Sequence, residues 1–123
     1  MQLSQTEEEL MEHIWELEKA FMQDLLECYP EPKPAPTTIA TLLKRMADKG
    51  YIGYEQKGRS REYYPLVQKE DYFAKHVNGL IKKFFNNSAA QFASFFTKET
   101  NLSAKELEEL KSIVEQQLEE KES

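Results

Sequence analysis

Apolar residues in the first part of the chain recur at helical spacing. In SQTEEELMEHIWELEKA, Leu10, Ile14 and Leu17 share a face, and Met11 and Trp15 widen the stripe. Ser4 or Thr6 can cap this helix, and Glu7, Glu8 and Glu9 sit where the helix dipole favours acids. Its apolar face, Trp15 included, is expected to pack as core behind a later helix. A shorter apolar helix follows in AFMQDLLECY, with Cys28 as a small core residue on its apolar side. Pro30, Pro32 and Pro34 then impose an extended connector.

The next periodic segment, PTTIATLLKRMADKG, opens on Pro36, a residue suited to a first helical position, and stops at Gly50. Ile39, Leu42, Leu43 and Met46 fall on one face of it. Thr37, Thr41, Lys44 and Asp48 lie opposite, with Thr38 and Arg45 on a flank. After Gly50 the period shortens. YIGYEQ and REYYPL flank Lys57-Gly58-Arg59-Ser60, which predicts a β-hairpin whose tip carries Lys57, Arg59 and Arg61 and whose faces are packed by Tyr51, Tyr54, Tyr63 and Tyr64. Three helices followed by a hairpin with a basic tip is the order of a winged helix-turn-helix.

The remainder reads as helical. Phe73, Val77, Leu80, Ile81 and Phe84 form one stripe; Phe92, Phe95 and Phe96 cluster behind Ser88; Leu107, Leu110, Ile113, Val114 and Leu118 form a seam after a Ser103/Glu106 capping box. This segment has too many large apolar groups for a solvated tail and too few residues to bury them alone. Self-association is the economical solution. The fold class expected is mainly α with a small β-hairpin wing. Residues 1–67 would form the DNA-binding domain, and 68–123 a three-helix dimerisation region.

Charge changes the picture. The 123 residues carry a formal net charge of −6, which taken whole disfavours nucleic acid as a partner. The distribution is uneven. Residues 1–31 hold one Lys against nine acids; residues 32–64 hold seven cations (Lys33, Lys44, Arg45, Lys49, Lys57, Arg59, Arg61) against three acids; residues 65–123 hold eight against ten. A basic middle third in an acidic chain is the footprint of a phosphate-facing surface. Thr37, Thr41 and Lys44 can reach base edges, since Thr offers a hydroxyl and a methyl and Lys suits guanine. Thr38 and Arg45 suit phosphates, and Arg59 and Arg61 suit backbone or minor groove. Asp48, on the same outward face, is expected to lie beyond the groove.

Other chemistry is thin. His13, Cys28 and His76 are dispersed, so no metal site is expected, and no cofactor motif or catalytic grouping is visible. The absence of a long apolar run and the single Cys lead to an expectation of a soluble, cytoplasmic protein that is not an enzyme.

TTIATLLKRMADKGYI with YYPLV, together with LSQTEEELMEHIW and LSAKELEELKSIVEQ, closely resembles the penicillinase-repressor (BlaI/MecI-type) regulators of bacteria over nearly the whole chain. The resemblance implies homodimeric repressors that bind palindromic operators through a recognition helix at about 36–49. It also implies a membrane sensor protease as inducer in the β-lactam-responsive members. Their scissile Asn-Phe pair falls at Phe95-Phe96, where Phe replaces Asn. Thr37 and Ala40 stand where members often carry cations, and the paired C-x-C motifs of copper-responsive relatives are absent. Two other classes remain open at this point: a winged-helix protein-interaction module with no sequence-specific DNA binding, and a small-ligand pocket among Phe92, Phe95 and Phe96.

Overall fold

The computed structural model describes residues 2–123. Helix α1 spans Gln5–Leu17, strand β1 Ala20–Phe21, α2 Met22–Glu27, α3 Pro36–Asp48, β2 Ile52–Lys57, β3 Ser60–Pro65, α4 Lys69–Phe84, α5 Ala89–Glu99 and α6 Ala104–Glu122. The chain divides into two compact units, one running up to Ala74 and the other Lys75–Ser123.

In the first unit, α1 starts at a reciprocal cap. Ser4 Oγ accepts from the Glu7 amide at 3.2 Å and Glu7 Oε1 accepts from the Ser4 amide at 2.8 Å, so two otherwise unsatisfied donors are satisfied. The helix ends at Leu17, the last residue of its apolar stripe, where Glu18 takes a positive φ of 67°. That turn frees Ala20–Phe21 to pair with β3, in register Ala20↔Tyr63 and Phe21↔Glu62. The sheet is therefore three-stranded, in order β1-β3-β2, and the second helix is shorter than AFMQDLLECY. Phe21 opens that helix with its amide donating to Asp24 Oδ2 at 2.9 Å.

The apolar face of α3 is buried as its period requires: Ile39, Leu42, Leu43 and Met46 join Leu10, Met11, Ile14, Leu25 and Ile52 in one core. Gly50, at φ +85°, ends α3. The Gly50 amide donates to Ala47 and the Tyr51 amide to Met46, the paired bonds that close a helix through a left-handed residue. The hairpin then runs Ile52↔Pro65 through Lys57↔Ser60, leaving Gly58-Arg59 as a two-residue tip with Gly58 at φ 63°.

Trp15 packs against the edge of this core. It is half-buried, with Tyr72 at 5.7 Å and Phe73 at 5.9 Å between ring centroids on its outer side. Its indole N–H donates to the Val67 carbonyl at 2.8 Å. The Tyr72 hydroxyl donates to Glu8, and Lys69 pairs with Glu12 at 3.0 Å. These contacts carry the first unit past the 67/68 boundary read from the sequence, as far as Ala74. Cys28 likewise caps α2 half-buried, its thiol on the Asp24 carbonyl at 3.4 Å. Burial, with Glu16, Asp24 and Glu27 nearby, pushes that thiol up.

The second unit is built differently. Ser88 caps α5 and Ser103 with Glu106 caps α6, and Asn86, Asn87 and Asn101 supply left-handed turns. The rings of Phe85, Phe92, Phe95 and Phe96 pack on one another. Yet no residue of Lys75–Ser123 is buried.

Candidate nucleic-acid interface

Every residue expected to face DNA is exposed: Thr37, Thr38, Thr41, Lys44 and Arg45 on α3, Arg59 at the hairpin tip and Arg61 on β3. The α3 backbone brings the first five together, because its opposite face is locked into the core. Thr41 Oγ1 donates to the Thr37 carbonyl at 3.0 Å, one turn back. Its proton is thus committed, and its lone pairs and methyl are what it offers outward.

The seven cations of the basic third fall into distinct settings. Lys33 spends its ammonium on the carbonyls of Leu26, Glu27 and Tyr29, with the Tyr29 contact at 2.7 Å, and so closes α2. Lys44 pairs with Asp48 and Lys57 with Glu55, each at 3.3 Å, and all four side chains are more than half exposed. Exposed pairs of this kind contribute about 0.2–1 kcal/mol, so a phosphate or base edge can displace them. Asp48 thus partners Lys44 across one helical turn, a relationship the outward-face reading missed. Arg45 and Arg59 have no ion pair among the described residues, and Arg61 lies over the Tyr54 ring at 4.3 Å from its centroid.

Lys49 is different in kind. Its Nζ lies 2.7 Å from Glu7 Oε1, with the lysine side chain 24% and the glutamate side chain 2% exposed. Burial alone would raise the Glu7 carboxyl. The Lys49 ammonium and the Ser4 amide and hydroxyl outweigh it and hold the group below the ordinary carboxylate range. Sequence reading counted Lys49 as one more surface cation. Glu7 was one of three acids expected where the helix dipole favours them, and nothing local pointed to its partner.

The residues expected at a self-association surface are uncovered. Val77, Leu80, Phe84, Phe95, Phe96, Leu107 and Val114 are 37–68% exposed. Ile81, Phe92 and Leu110 are half-buried. Phe73, at 41% exposure, belongs to the first unit beside Trp15. No group of three or more His, Cys, Asp or Glu among the described residues could hold a metal ion, and no helix is long and apolar enough to cross a membrane.

The family model described as penicillinase repressor matches residues 3–116. The methicillin resistance regulatory protein MecI of Staphylococcus aureus (strain N315) is 30% identical over 114 residues, covering 92% of this chain and 93% of MecI. The penicillinase repressor of Bacillus licheniformis is 27% identical over 116 residues, covering 94% of this chain and 91% of that protein. The solution structure of the DNA-binding domain of the repressor BlaI superposes with a TM-score of 0.51 at 29% identity, covering 58% of this chain and 88% of that one.

Proposed function

The chain belongs to the penicillinase repressor family, and on that premise we propose that it is a homodimeric transcriptional repressor that occupies a palindromic operator. Its relatives are repressors, and one of them has a DNA-binding domain of this winged-helix fold. The observation that carries the reading to this chain is the α3 surface. Three threonines, Lys44 and Arg45 are exposed on a helix whose other face is core, beside a hairpin bearing Arg59 and Arg61.

In the major groove, Thr41 presents an acceptor and a methyl, which suit an adenine or cytosine amine and a thymine methyl. Lys44 addresses guanine after leaving Asp48. Arg45, Arg59 and Arg61 neutralise phosphates and fix register, and each such contact steepens the salt dependence by about 0.9 in log–log slope. The apolar helices of the second unit, none of whose residues is buried in one chain, find their cover in a second copy. Linking two readers makes the second contact intramolecular and raises avidity by about 10²-fold or more.

Whatever separates those helices releases the operator. Phe95 and Phe96 lie in the middle of α5, so a sensor protease acting there would first have to open that helix. The test is binding of duplex DNA selected from a random library, followed across salt concentrations by the full chain. Sequence-selective binding with a steep negative slope supports the repressor. Absence of duplex binding would make the fold a protein-interaction module instead.

A further inference from the structure

The ion pair between part-buried Lys49 and buried Glu7 joins the start of one helix to the end of another. Lys49 is the residue on which α3 closes, directly after Asp48, and Glu7 stands in the first turn of α1. One carboxylate oxygen, Glu7 Oε1, accepts from the Ser4 amide at 2.8 Å and from Lys49 Nζ at 2.7 Å. The other, Oε2, is buried with no hydrogen-bond partner among the described residues. The opposite end of α3 has no such fastening: Ala35 makes no side-chain cap and follows the proline connector.

From this geometry we propose that Glu7 and Lys49 are positioning residues for DNA reading, a pin that fixes where the recognition helix lies, and that Lys49 does not touch phosphate. The inference rests on the repressor reading above. A lysine held at 2.7 Å by a nearly fully buried carboxylate cannot serve DNA without leaving a bare buried charge behind, whereas the exposed Lys44 and Lys57 pairs exchange freely. Loss of the pin lets α3 shift along or about its axis. Thr37, Thr41 and Lys44 then miss base edges, because those contacts depend on angle and reach. Contacts from Arg45, Arg59 and Arg61 to a uniform phosphate backbone tolerate the same shift.

The test pairs a neutral replacement with a conservative one. In Glu7→Gln/Lys49→Met the glutamine can keep the Ser4 cap while both charges are gone, so the fold has no orphaned ion. Lys49→Arg keeps the charge and can reach both Glu7 oxygens. Each is compared with the unaltered chain on two probes, a duplex that the unaltered chain selects from a random library and a scrambled duplex of equal length. The double variant should lose about tenfold or more in preference for the selected duplex, the size of one or two lost base contacts. Its salt slope should not change, and Lys49→Arg should retain most of the preference. A salt slope shallower by about 0.9 per protomer would show Lys49 to be a phosphate contact and overturn the proposal. Preference unchanged within twofold in the double variant would reduce the pair to a purely structural one. If the unaltered chain itself selects no duplex, the repressor reading falls and takes the pin with it.

Discussion

The indole N–H of Trp15 donates to the carbonyl of Val67 at 2.8 Å, and so fastens the middle of α1 to the segment that leaves the wing. The two residues lie far apart in sequence, so the bond closes the first unit from its far end. Tyr72 and Phe73 pack against the same indole, which makes the first turns of α4 part of the DNA-binding unit.

Trp15→Phe keeps most of the apolar surface and removes the donor, leaving a half-buried carbonyl unpaired. The expected loss is about 1–3 kcal/mol of stability, with the denaturant slope unchanged. Urea unfolding followed by circular dichroism measures it. A variant as stable as the parent would show that water replaces the bond at no cost.

Tyr72 and Tyr29 should titrate late. Burial raises both phenols; beside Tyr72 the Glu8 carboxylate adds to the shift, and beside Tyr29 Glu9 does. A group whose folded value is raised contributes stability that is complete below its unfolded value, about 10, and is lost as pH climbs through the folded one. Ultraviolet titration should therefore show Tyr29 and Tyr72 ionising late, together with alkaline unfolding. Ionisation of Tyr29 and Tyr72 near the unfolded value, ahead of unfolding, would contradict the packing around both.

At the acid end the sign reverses. The Glu7 carboxyl is held low, so its contribution is full above the ordinary value of 4.5 and is lost as pH falls through the lower folded value. Unfolding experiments stepped downward from pH 5 should show stability falling, and Glu7→Gln should flatten that fall. Glu106, lowered by the Ser103 cap, acts in the same direction at the start of α6. At neutral pH, Glu7→Ala removes both the reciprocal cap and the partner of the part-buried Lys49, and should cost about 1–3 kcal/mol.

Contacts that position and contacts that specify should separate by mutation. Arg45→Ala or Arg59→Ala should weaken binding to all duplexes alike and make the salt slope shallower by about one per protomer. Thr41→Val keeps shape and removes the acceptor, so it should cost about 1–3 kcal/mol on the selected duplex and little on a scrambled one. Equal losses on both duplexes would remove Thr41 from the base-reading set.

Much of this fold can be read from local pattern, and the exceptions share a cause. The α3 core face, its stop at Gly50 and the hairpin tip follow from spacing and turn chemistry within a dozen residues. β1 escaped because two residues show no alternation; only pairing with Tyr63 and Glu62 makes Ala20–Phe21 a strand. Trp15 sat on a legible stripe, but a stripe names a face and not its partner. Tyr72 is the one buried residue of α4, yet it lies off that helix's apolar stripe. Most of the stripe stays exposed: Phe73, Val77, Leu80 and Phe84 are open and only Ile81 is half-buried. Lys49 was misjudged for a similar reason: a long-range partner decides whether a cation faces solvent or a buried acid.

The central claim is that two winged-helix units read DNA together because their C-terminal helices hold them together. The measurement that bears on it most directly sets the fragment 1–74, which retains Tyr72, beside the full chain on one selected duplex at one salt concentration, with the mass of each determined by sedimentation. The full chain should be a dimer, and the fragment a folded monomer that binds at least about 10²-fold more weakly. A monomeric fragment that binds as tightly as the full chain would contradict the account.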